Sequence, residues 1–175
     1  MEYKFCPQCG GKLARRYIAQ EHHDRLICTE CDYIFYLNPK PTAAVVIQQD
    51  NKILFVKRKY EPQKGAWSLP AGFVEYDESV HQAGVREVRE ETNLTIKIKR
   101  LLDVHSSFEN PDKHVLVVGF EGELIDGELK AGDDAEDVRF FDIDNLPENI
   151  AWHCHLHFVN KVIRKKDSSP HHTSK

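Results

Sequence analysis

The sequence predicts an α/β layered domain with a small metal-stabilised appendage at its amino-terminal end, and three features support this prediction. The length of 175 residues accommodates one domain of roughly 100–200 residues together with a small satellite. Runs of β-branched residues alternate with two segments of helical length, as expected of strands and helices packed in layers. Four of the five cysteines lie within the first 31 residues.

The composition is that of a globular protein and argues against several classes of function. The hydrophobic fraction is 41%, close to the ~45–50% usual for globular chains, so a core can form. The formal net charge is -4, which disfavours a non-specific nucleic-acid binder. No run of about 18 apolar residues and no apolar leader is present. The sequence therefore predicts a cytoplasmic protein with no membrane segment.

The clustered cysteines form two Cys-x-x-Cys pairs, Cys6 with Cys9 and Cys28 with Cys31, separated by 18 residues. A two-residue gap lets both thiolates of a pair reach one ion, and two such pairs complete a tetrahedral site of four sulfurs. Thiolates in this geometry select zinc. Because a reducing compartment disfavours disulfides and no βαβ pattern surrounds either pair, the spacing predicts a structural Zn²⁺ site and not a redox pair.

Residues 1–38 are expected to form a zinc ribbon around this site. A segment of this length buries too little apolar surface to fold alone, so the metal would hold it together. Short strands are predicted at residues 15–18 and 25–27, between the two cysteine pairs. The two prolines of residues 38–41 are predicted to interrupt regular structure and to mark the domain boundary.

Residues 39–166 are predicted to form the main domain, followed by a flexible tail at residues 167–175. The strands are identified by apolar, β-branched runs between turn residues. Ser79 and Gln82 form a capping box, which predicts where the first helix begins. The predicted strands are 43–48, 53–57, a short strand within 65–74, 95–104, 114–122 and 138–143, and the predicted helices are 79–92 and 151–166.

The first predicted helix carries Glu87, Glu90 and Glu91 at positions i, i+3 and i+4, so the three carboxylates share one face. The like-charge pair Glu87 and Glu91 costs roughly a few tenths of a kcal/mol on a bare helix. A bound divalent cation would reverse that cost, and carboxylate ligands suit Mg²⁺ or Mn²⁺ better than zinc. The competing interpretation is a solvated acidic face, which the three glutamates taken alone favour.

A longer pattern from Gly72 to Leu94 favours the metal site. It reads Gly-x₅-Glu-x₇-Arg-Glu-Val-x-Glu-Glu-x-Asn-Leu and resembles the Nudix box, the signature of the Nudix hydrolase family. Only Asn93 departs from the family's pattern, which has glycine there, and Asn is the usual second choice for a left-handed helix C-cap. The resemblance covers about residues 42–165.

The resemblance implies a Nudix α/β/α sandwich with a mixed sheet, preceded by a zinc ribbon. It also implies a hydrolase that cleaves the pyrophosphate bond of a nucleoside diphosphate linked to another moiety and releases a nucleoside monophosphate. By similarity to the family, a catalytic Mg²⁺ or Mn²⁺ would be held by Glu87, Glu90, Glu91 and the backbone carbonyl of Ala71.

The resemblance also implies roles for other charged residues. Glu78 would support the metal site, and Arg86 would orient the glutamates. The base that activates water would be one of the box glutamates or an acidic residue outside the box. Asp134 lies just before a predicted strand in about the right place, and Glu136 is the competing candidate. A solvated turn is an equally supported interpretation of this acidic segment.

The basic run Lys57, Arg58 and Lys59 is a candidate for contact with the pyrophosphate or ribose of a substrate. Alternation along a strand points Lys57 and Lys59 to one face and Arg58 to the other, so only one of these faces can line the site. Aromatic residues are candidates for base stacking, although core packing is favoured for each because aromatics supply much of a core's buried area. These residues are Phe35, Tyr36, Trp67 and Phe108.

The fifth cysteine, Cys154, lies in the sequence His-Cys-His-Leu-His. The alternating histidines resemble a metal cluster, but residues at i and i+2 diverge on a helix. This argument favours a helix surface that carries a packed cysteine.

The flanking sequence narrows the substrate class. NADH pyrophosphatases of the family carry a Ser-Gln-Pro-Trp-Pro-Phe-Pro-type motif, which is absent from the corresponding residues 103–111. ADP-ribose or FAD is therefore expected ahead of NADH. The alternative function is a nucleotide-sensing Nudix-like module whose ribbon contacts protein or nucleic acid, but such sensors usually lose box glutamates, and all are present here. A homodimer is expected from the resemblance only.

Overall fold

The computed structural model describes residues 3–110, 113–132 and 134–167. These residues form a small three-stranded sheet and a larger seven-stranded sheet with two helices. The small sheet contains β1 (Leu13–Ile18), β2 (His23–Cys28) and β3 (Ile34–Phe35). The larger unit contains β4 (Lys40–Gln49), β5 (Lys52–Arg58), β6 (Trp67–Ser68), β7 (Ala71–Phe73), α1 (Val80–Thr92), β8 (Thr95–Ser107), β9 (Val115–Asp126), β10 (Ala135–Asp142) and α2 (His153–Asp167).

The larger sheet is mixed, as the resemblance implied. Its strand order is β10-β5-β4-β9-β8, with β6 paired to β5 and β7 paired to β4. All of these pairs are antiparallel except β4 with β9, which is parallel. The predicted hairpin between β4 and β5 is present, with Gln48 opposite Ile53.

The central strand β4 explains the layered architecture. Along its sequence, Ala43, Val45 and Ile47 pack in one core cluster with residues of α1, while Ala44 and Val46 pack in a second cluster with residues of α2. Successive side chains of a strand point to opposite faces, so an unbroken apolar run indicates a strand buried on both faces. The two helices therefore cover opposite faces of the sheet, which confirms the predicted α/β/α sandwich.

Helix α1 begins and ends as its sequence predicts. The Ser79 side chain accepts a hydrogen bond from the Gln82 N–H, and the Gln82 side chain accepts one from the Ser79 N–H. At the other end, Asn93 adopts the left-handed conformation with φ 61°, and its N–H donates to the Arg89 carbonyl oxygen. Asn93 thus fills the C-cap role in which the family's pattern has glycine.

Some predicted boundaries were wrong. The ribbon has a third strand, and β4 already begins at Lys40, inside the segment predicted to interrupt regular structure. Pro41 is the second residue of β4, a position near a strand start where a residue without an N–H is accommodated. Its carbonyl oxygen accepts the Val74 N–H, and the neighbouring Lys40 N–H donates to the His114 carbonyl oxygen. Strands β8 and β9 run several residues past their predicted ends, since the pairing of the two strands sustains them beyond their apolar cores.

The tail predicted at residues 167–175 lies outside the described residues except for Asp167, which ends α2. Among the helices that the structure describes, none combines the length and the hydropathy needed to cross a membrane.

Candidate active site

The four cysteines predicted to bind zinc converge on one point of the ribbon. Their sulfur atoms all lie within 4.8 Å of one another. The Sγ–Sγ distances are 3.8 Å between Cys6 and Cys31, 3.5 Å between Cys9 and Cys28, and 3.3 Å between Cys9 and Cys31. Sulfurs placed tetrahedrally about a zinc ion at 2.3 Å would be about 3.8 Å apart. The donor set and its spacing therefore fit a structural Zn²⁺.

Backbone N–H groups support the thiolates of this cluster. Gln8 donates to Cys6, Gly11 donates to Cys9, and Glu30 donates to Cys28, at 3.4–3.5 Å. The Glu30 N–H is the main reason why the pKa of the Cys28 thiol falls to about 7. Each of these bonds acts towards the deprotonated sulfur that a metal requires. For Cys9 the Gly11 N–H lowers the pKa, but the neighbouring thiols of Cys31 and Cys28 raise it above its usual value.

The box glutamates pack against the short strand β7, and this contact accounts for the box glycine. A Cβ atom added to Gly72 would lie only 2.0 Å from Oε1 of Glu87, so a larger residue would have to displace the Glu87 carboxylate. One residue earlier, the Ala71 N–H donates to Oε2 of Glu91 at 3.1 Å. Burial is the main cause that raises the pKa of Glu91 to about 8, and the charge of Glu87 adds to it. Two carboxylates are thus held against one backbone segment.

Arg86 forms hydrogen bonds with three glutamates of the acidic cluster. Its Nη2 donates to Oε1 of Glu78 at 2.7 Å and to the Phe73 carbonyl oxygen at 3.0 Å, and its Nε donates to Oε2 of Glu78 at 3.1 Å. Its Nη1 donates to Oε1 of Glu87 at 2.7 Å and to Oε2 of Glu90 at 3.0 Å. The two hydrogen bonds to Glu78 fix the plane of the guanidinium. The Arg86 guanidinium also lowers the pKa of Glu78.

The oxygen-rich donor set fits a hard divalent cation. Within the described parts of the chain, only the four cysteines bring three or more candidate ligand atoms within 4.8 Å of one another. The box carboxylates are spread more widely, and Arg86 bridges Glu87 and Glu90. Mg²⁺ and Mn²⁺ accept such a set, since they bind one or two carboxylates and complete their shells with water and substrate phosphate.

The loop after β9 brings Asp134 to this cluster. This loop caps the carboxyl end of α1. The Lys130 N–H donates to the Thr92 carbonyl oxygen and the Gly132 N–H donates to the Glu91 carbonyl oxygen, both at 3.0 Å. A Cβ atom on Gly132 would lie 1.8 Å from the Glu90 carbonyl oxygen, so this close approach needs glycine. After burial and Glu87, the charge of Asp134 is a further cause of the raised pKa of Glu91.

The competing candidate, Glu136, has another partner. Its carboxylate forms an ion pair with the Lys57 ammonium at 2.8 Å on an exposed part of the surface. Of these two candidates, Asp134 is the one whose charge contributes to the raised pKa of Glu91.

A cleft of about 570 Å³ opens beside the acidic cluster. Its walls include Ala71, Gly72 and Phe73 of β7, and Ser107 at the end of β8, together with Trp152 just before α2. A volume of this size suits a small-molecule ligand. Since the Ala71–Gly72 backbone also contacts Glu87 and Glu91, a ligand in the cleft would lie next to the box carboxylates.

The basic run behaves as strand alternation predicts. Arg58 lines the cleft, where its Nε donates to the Pro62 carbonyl oxygen at 2.8 Å and its guanidinium lies 5.8 Å from the ring centre of Trp152. Lys57 points to the other face and binds Glu136. Arg58 is therefore the member of this run that is available to a ligand's phosphates.

The expectation of core packing was wrong for two of the four aromatics. Phe108 is 66% exposed and contacts the ring of His114, while Tyr36 is 47% exposed and donates to a carboxylate oxygen of Glu21. Trp67 packs on Phe141 beside the core, with ring centres 4.7 Å apart. Both exposed rings lie just beyond strand ends, where the alternation that separates buried from exposed positions no longer applies.

The prediction for the histidines around Cys154 was wrong at His155. Cys154 is packed, as expected, but His155 is only 3% exposed and lines the cleft. Its Nδ1 accepts the Leu69 N–H at 3.0 Å, and burial lowers its pKa to about 3. The sequence did hold a signal, because the 3–4 spacing of a buried helix face includes this position. The buried residues with that spacing are Ala151, Cys154, His155, Phe158, Val159 and Val162.

The sandwich fold, the box and the four-cysteine site together define a ribbon-containing Nudix protein, and comparison with known families agrees. The NUDIX domain family matches residues 38–162, and the Nudix N-terminal zinc-ribbon family matches residues 4–37. The chain belongs to the Nudix hydrolase family.

Three relatives show how far this similarity extends. An ADP-ribose pyrophosphatase from Methanocaldococcus jannaschii is 44% identical over 149 residues, which are 83% of this chain and 88% of that protein. The NAD-capped RNA hydrolase NudC from Pseudomonas aeruginosa is 34% identical over 82% of this chain, which spans only 49% of NudC. The crystal structure of a Nudix hydrolase from Nitrosomonas europaea has a TM-score of 0.82 and 33% identity, and the match covers 94% of this chain and 93% of that one.

The ribbon should depend on its metal. We expect about one zinc per chain in freshly purified reduced protein, measured by elemental analysis, because the four sulfurs form one tetrahedral set. Cys9→Ser should lower the zinc content and increase proteolysis within residues 3–37. Cys154→Ser is the matched control and should retain zinc, since Cys154 lies in a core cluster of the larger unit and not in the ribbon. Zinc-free wild-type protein with an intact ribbon would contradict the assignment.

The buried His155 should make stability depend on pH. Its pKa falls from 6.5 to about 3 in the folded protein, because burial disfavours the charged ring and the nearby Arg58 adds repulsion. Below pH 6.5 the unfolded chain therefore binds more protons than the folded protein does. The contribution of the neutral His155 to the free energy of unfolding is complete above pH 6.5 and is lost as the pH falls towards 3. Chemical denaturation of wild type and His155→Asn should show a stability difference that moves in favour of the variant on acidification. A difference independent of pH would contradict this.

Proposed function

We propose that this protein hydrolyses the pyrophosphate bond of an ADP-linked compound, with ADP-ribose the first candidate substrate, and releases AMP. The observation that carries the proposal is the shared backbone segment Ala71–Gly72, which lines the cleft on one side and contacts Glu91 and Glu87 on the other. A substrate that fills the cleft would thereby place its phosphates next to the partly buried carboxylates of Glu87 and Glu91.

The catalytic roles follow from the contacts of each residue. Glu87, Glu90, Glu91 and the Ala71 carbonyl would hold Mg²⁺ or Mn²⁺, which supplies charge neutralisation at the phosphates and a more acidic water. Glu78 and Arg86 position these carboxylates through the bonds described above. Arg58 is placed to meet a phosphate from the cleft side.

Asp134 is the candidate base that takes a proton from the attacking water. It lies outside the box, on a loop fixed to α1 by the bonds of Lys130 and Gly132, and it influences Glu91 electrostatically. Glu136 is engaged with Lys57 and is not assigned this role. A base must reach the water in the substrate complex, so this assignment places the water between Asp134 and the box.

The relatives support the choice of substrate. The Methanocaldococcus jannaschii relative, which the chain matches over most of its length, is an ADP-ribose pyrophosphatase. The NudC relatives act on NAD-capped RNA, but this chain corresponds to only about half of their length. Together with the absent NADH-type motif, this favours ADP-ribose, with FAD and NADH as further candidates.

The organisation of the chain is part of the proposal. Residues 1–38 would form the zinc-stabilised ribbon and residues 39–166 the hydrolase domain. The ribbon's zinc is structural, since four thiolates leave no open position for a substrate or water. Homodimer formation remains a prediction.

The proposal is tested with a panel of ADP-ribose, FAD, NADH and NAD-capped RNA in the presence of Mg²⁺ or Mn²⁺, with products identified by mass spectrometry. AMP should appear from at least ADP-ribose. Glu91→Gln should lower kcat by orders of magnitude while the protein stays folded, because an amide cannot replace a charged ligand. Asp134→Asn should also lower kcat, and Glu136→Gln is the matched control that should not.

Three results would contradict different parts of the proposed function. An absence of turnover over the whole panel, with tight binding of ADP-ribose, would favour the nucleotide-sensing module. Full activity in Glu91→Gln would remove the metal-site assignment, and loss of activity in Glu136→Gln but not in Asp134→Asn would exchange the two candidate bases.

A further inference from the structure

The cleft contains a buried histidine that the proposed chemistry does not use. His155 is 3% exposed, and its ring lines the cleft with two other buried polar side chains, Ser68 and Ser107. A polar group removed from bulk water in this way normally has a hydrogen-bond partner. Within the part of the chain that the structure describes, only one of the two ring nitrogens of His155 has such a partner.

The known partner fixes which nitrogen carries the proton. Nδ1 accepts the Leu69 N–H at 3.0 Å, so it has no proton of its own. In a neutral imidazole the proton is then on Nε2, which makes Nε2 a donor. No hydrogen bond from Nε2 to another described residue is present, and Nε2 is not among the fully buried atoms that lack a partner, so it faces the open cleft. The ring thus presents an unused donor in a cleft wall.

The ring is neutral over the pH range in which the enzyme would work. Burial lowers the pKa of His155 to about 3, and Arg58, which lines the same cleft, disfavours a second positive charge. A neutral N–H donor suits an uncharged acceptor, whereas Arg58 offers the permanent charge that suits phosphate. The cleft therefore offers two kinds of hydrogen-bond donor, the charged guanidinium of Arg58 and the neutral Nε2–H of His155.

We propose that His155 is a specificity-determining residue whose Nε2–H donates a hydrogen bond to an uncharged acceptor of the bound substrate, a ribose hydroxyl or a nitrogen or oxygen of the base. This rests on the proposed function, which places the substrate in the cleft. A site built around a buried donor discriminates strongly against ligands without the matching acceptor, since the donor is then left unpaired. His155 would thus select for the nucleoside or sugar portion of the substrate.

A second role of the same side chain must be separated in any test. The Leu69 N–H lies two residues before Ala71, so the bond to Nδ1 also fixes the segment that carries the proposed metal-binding carbonyl. A variant that loses this bond would disturb the fold of the site without informing on Nε2. The two ring nitrogens must therefore be removed one at a time.

Two conservative variants make that separation. His155→Asn keeps an oxygen near the position of Nδ1 and removes the Nε2 donor. His155→Gln keeps a donor near the position of Nε2 and leaves the Leu69 N–H without its acceptor. We expect His155→Asn to keep its Tm and kcat while its KM for ADP-ribose rises about 3–10-fold, the range for loss of one neutral hydrogen bond.

His155→Gln should show the converse. Its Tm should fall by several degrees and its kcat should fall, because the segment that leads to Ala71 loses the Leu69 bond, while its KM stays close to that of wild type. The KM ratio of His155→Asn to wild type should be constant from about pH 6 to pH 9, because the neutral ring does not titrate there. An unchanged KM in His155→Asn would overturn the proposal. A lower Tm together with a raised KM in both variants would also overturn it, since that is the pattern of a purely structural histidine.

Titration with AMP and with ribose 5-phosphate, in wild type and His155→Asn, identifies the acceptor. If His155→Asn binds only AMP more weakly than wild type does, the acceptor lies on the adenosine half of the substrate. If it binds only ribose 5-phosphate more weakly, the acceptor lies on the ribose 5-phosphate half. Equal binding of each compound by the two proteins counts against the proposal. Direct titration of ADP-ribose keeps this test independent of turnover. If wild type binds ADP-ribose without hydrolysing it, and His155→Asn weakens that binding, the proposed function is wrong but the role of His155 is supported. If wild type neither binds nor hydrolyses ADP-ribose, both proposals are overturned.

Discussion

The contact between strand β7 and helix α1 is the constraint on which the candidate site depends. Gly72 leaves just enough space for the Glu87 carboxylate, and the Ala71 N–H binds Glu91. A side chain at residue 72 would occupy the space that the Glu87 carboxylate takes. The same two residues form a wall of the cleft, so one stretch of backbone joins the acidic cluster to the space for a ligand.

The rest of the site keeps this contact in place. Arg86 links the strand to the helix through the Phe73 carbonyl oxygen and the carboxylates of Glu78, Glu87 and Glu90. On the far side, the loop containing Gly132 closes on the carboxyl end of α1. The buried carboxyl of Glu91, with its raised pKa, shows that the site is costly without a cation. A cation would offset this cost, so the ordering of the acids and the binding of metal are expected to stabilise each other.

Much of the architecture follows from local patterns in the chain. The cysteine spacing, the capping box and the doubly buried strand β4 could all be predicted, because each depends on a few residues close in sequence. The box glutamates and Arg86 could also be placed, since helical periodicity puts them on one face. The family resemblance added the roles of these residues, which spacing alone left open.

The remaining features depend on contacts between distant segments. The divergence of i and i+2 residues on a helix favours a surface position for the histidines around Cys154, and only the approach of Leu69 shows why His155 is buried. The choice between Asp134 and Glu136 depends on the ion pair with Lys57, which lies on another strand. Phe108 and Tyr36 are exposed because the strands end before them. Side-chain type predicts none of these outcomes without the tertiary structure.

The central claim is that Gly72 allows the box carboxylates to form a divalent-cation site. Mn²⁺ titration of the zinc-loaded protein, followed by electron paramagnetic resonance, tests it most directly with wild type and Gly72→Ala. We expect wild type to bind Mn²⁺ and Gly72→Ala to bind it much more weakly, since the added methyl displaces the Glu87 carboxylate. Equal Mn²⁺ affinity in the two folded proteins would contradict the account.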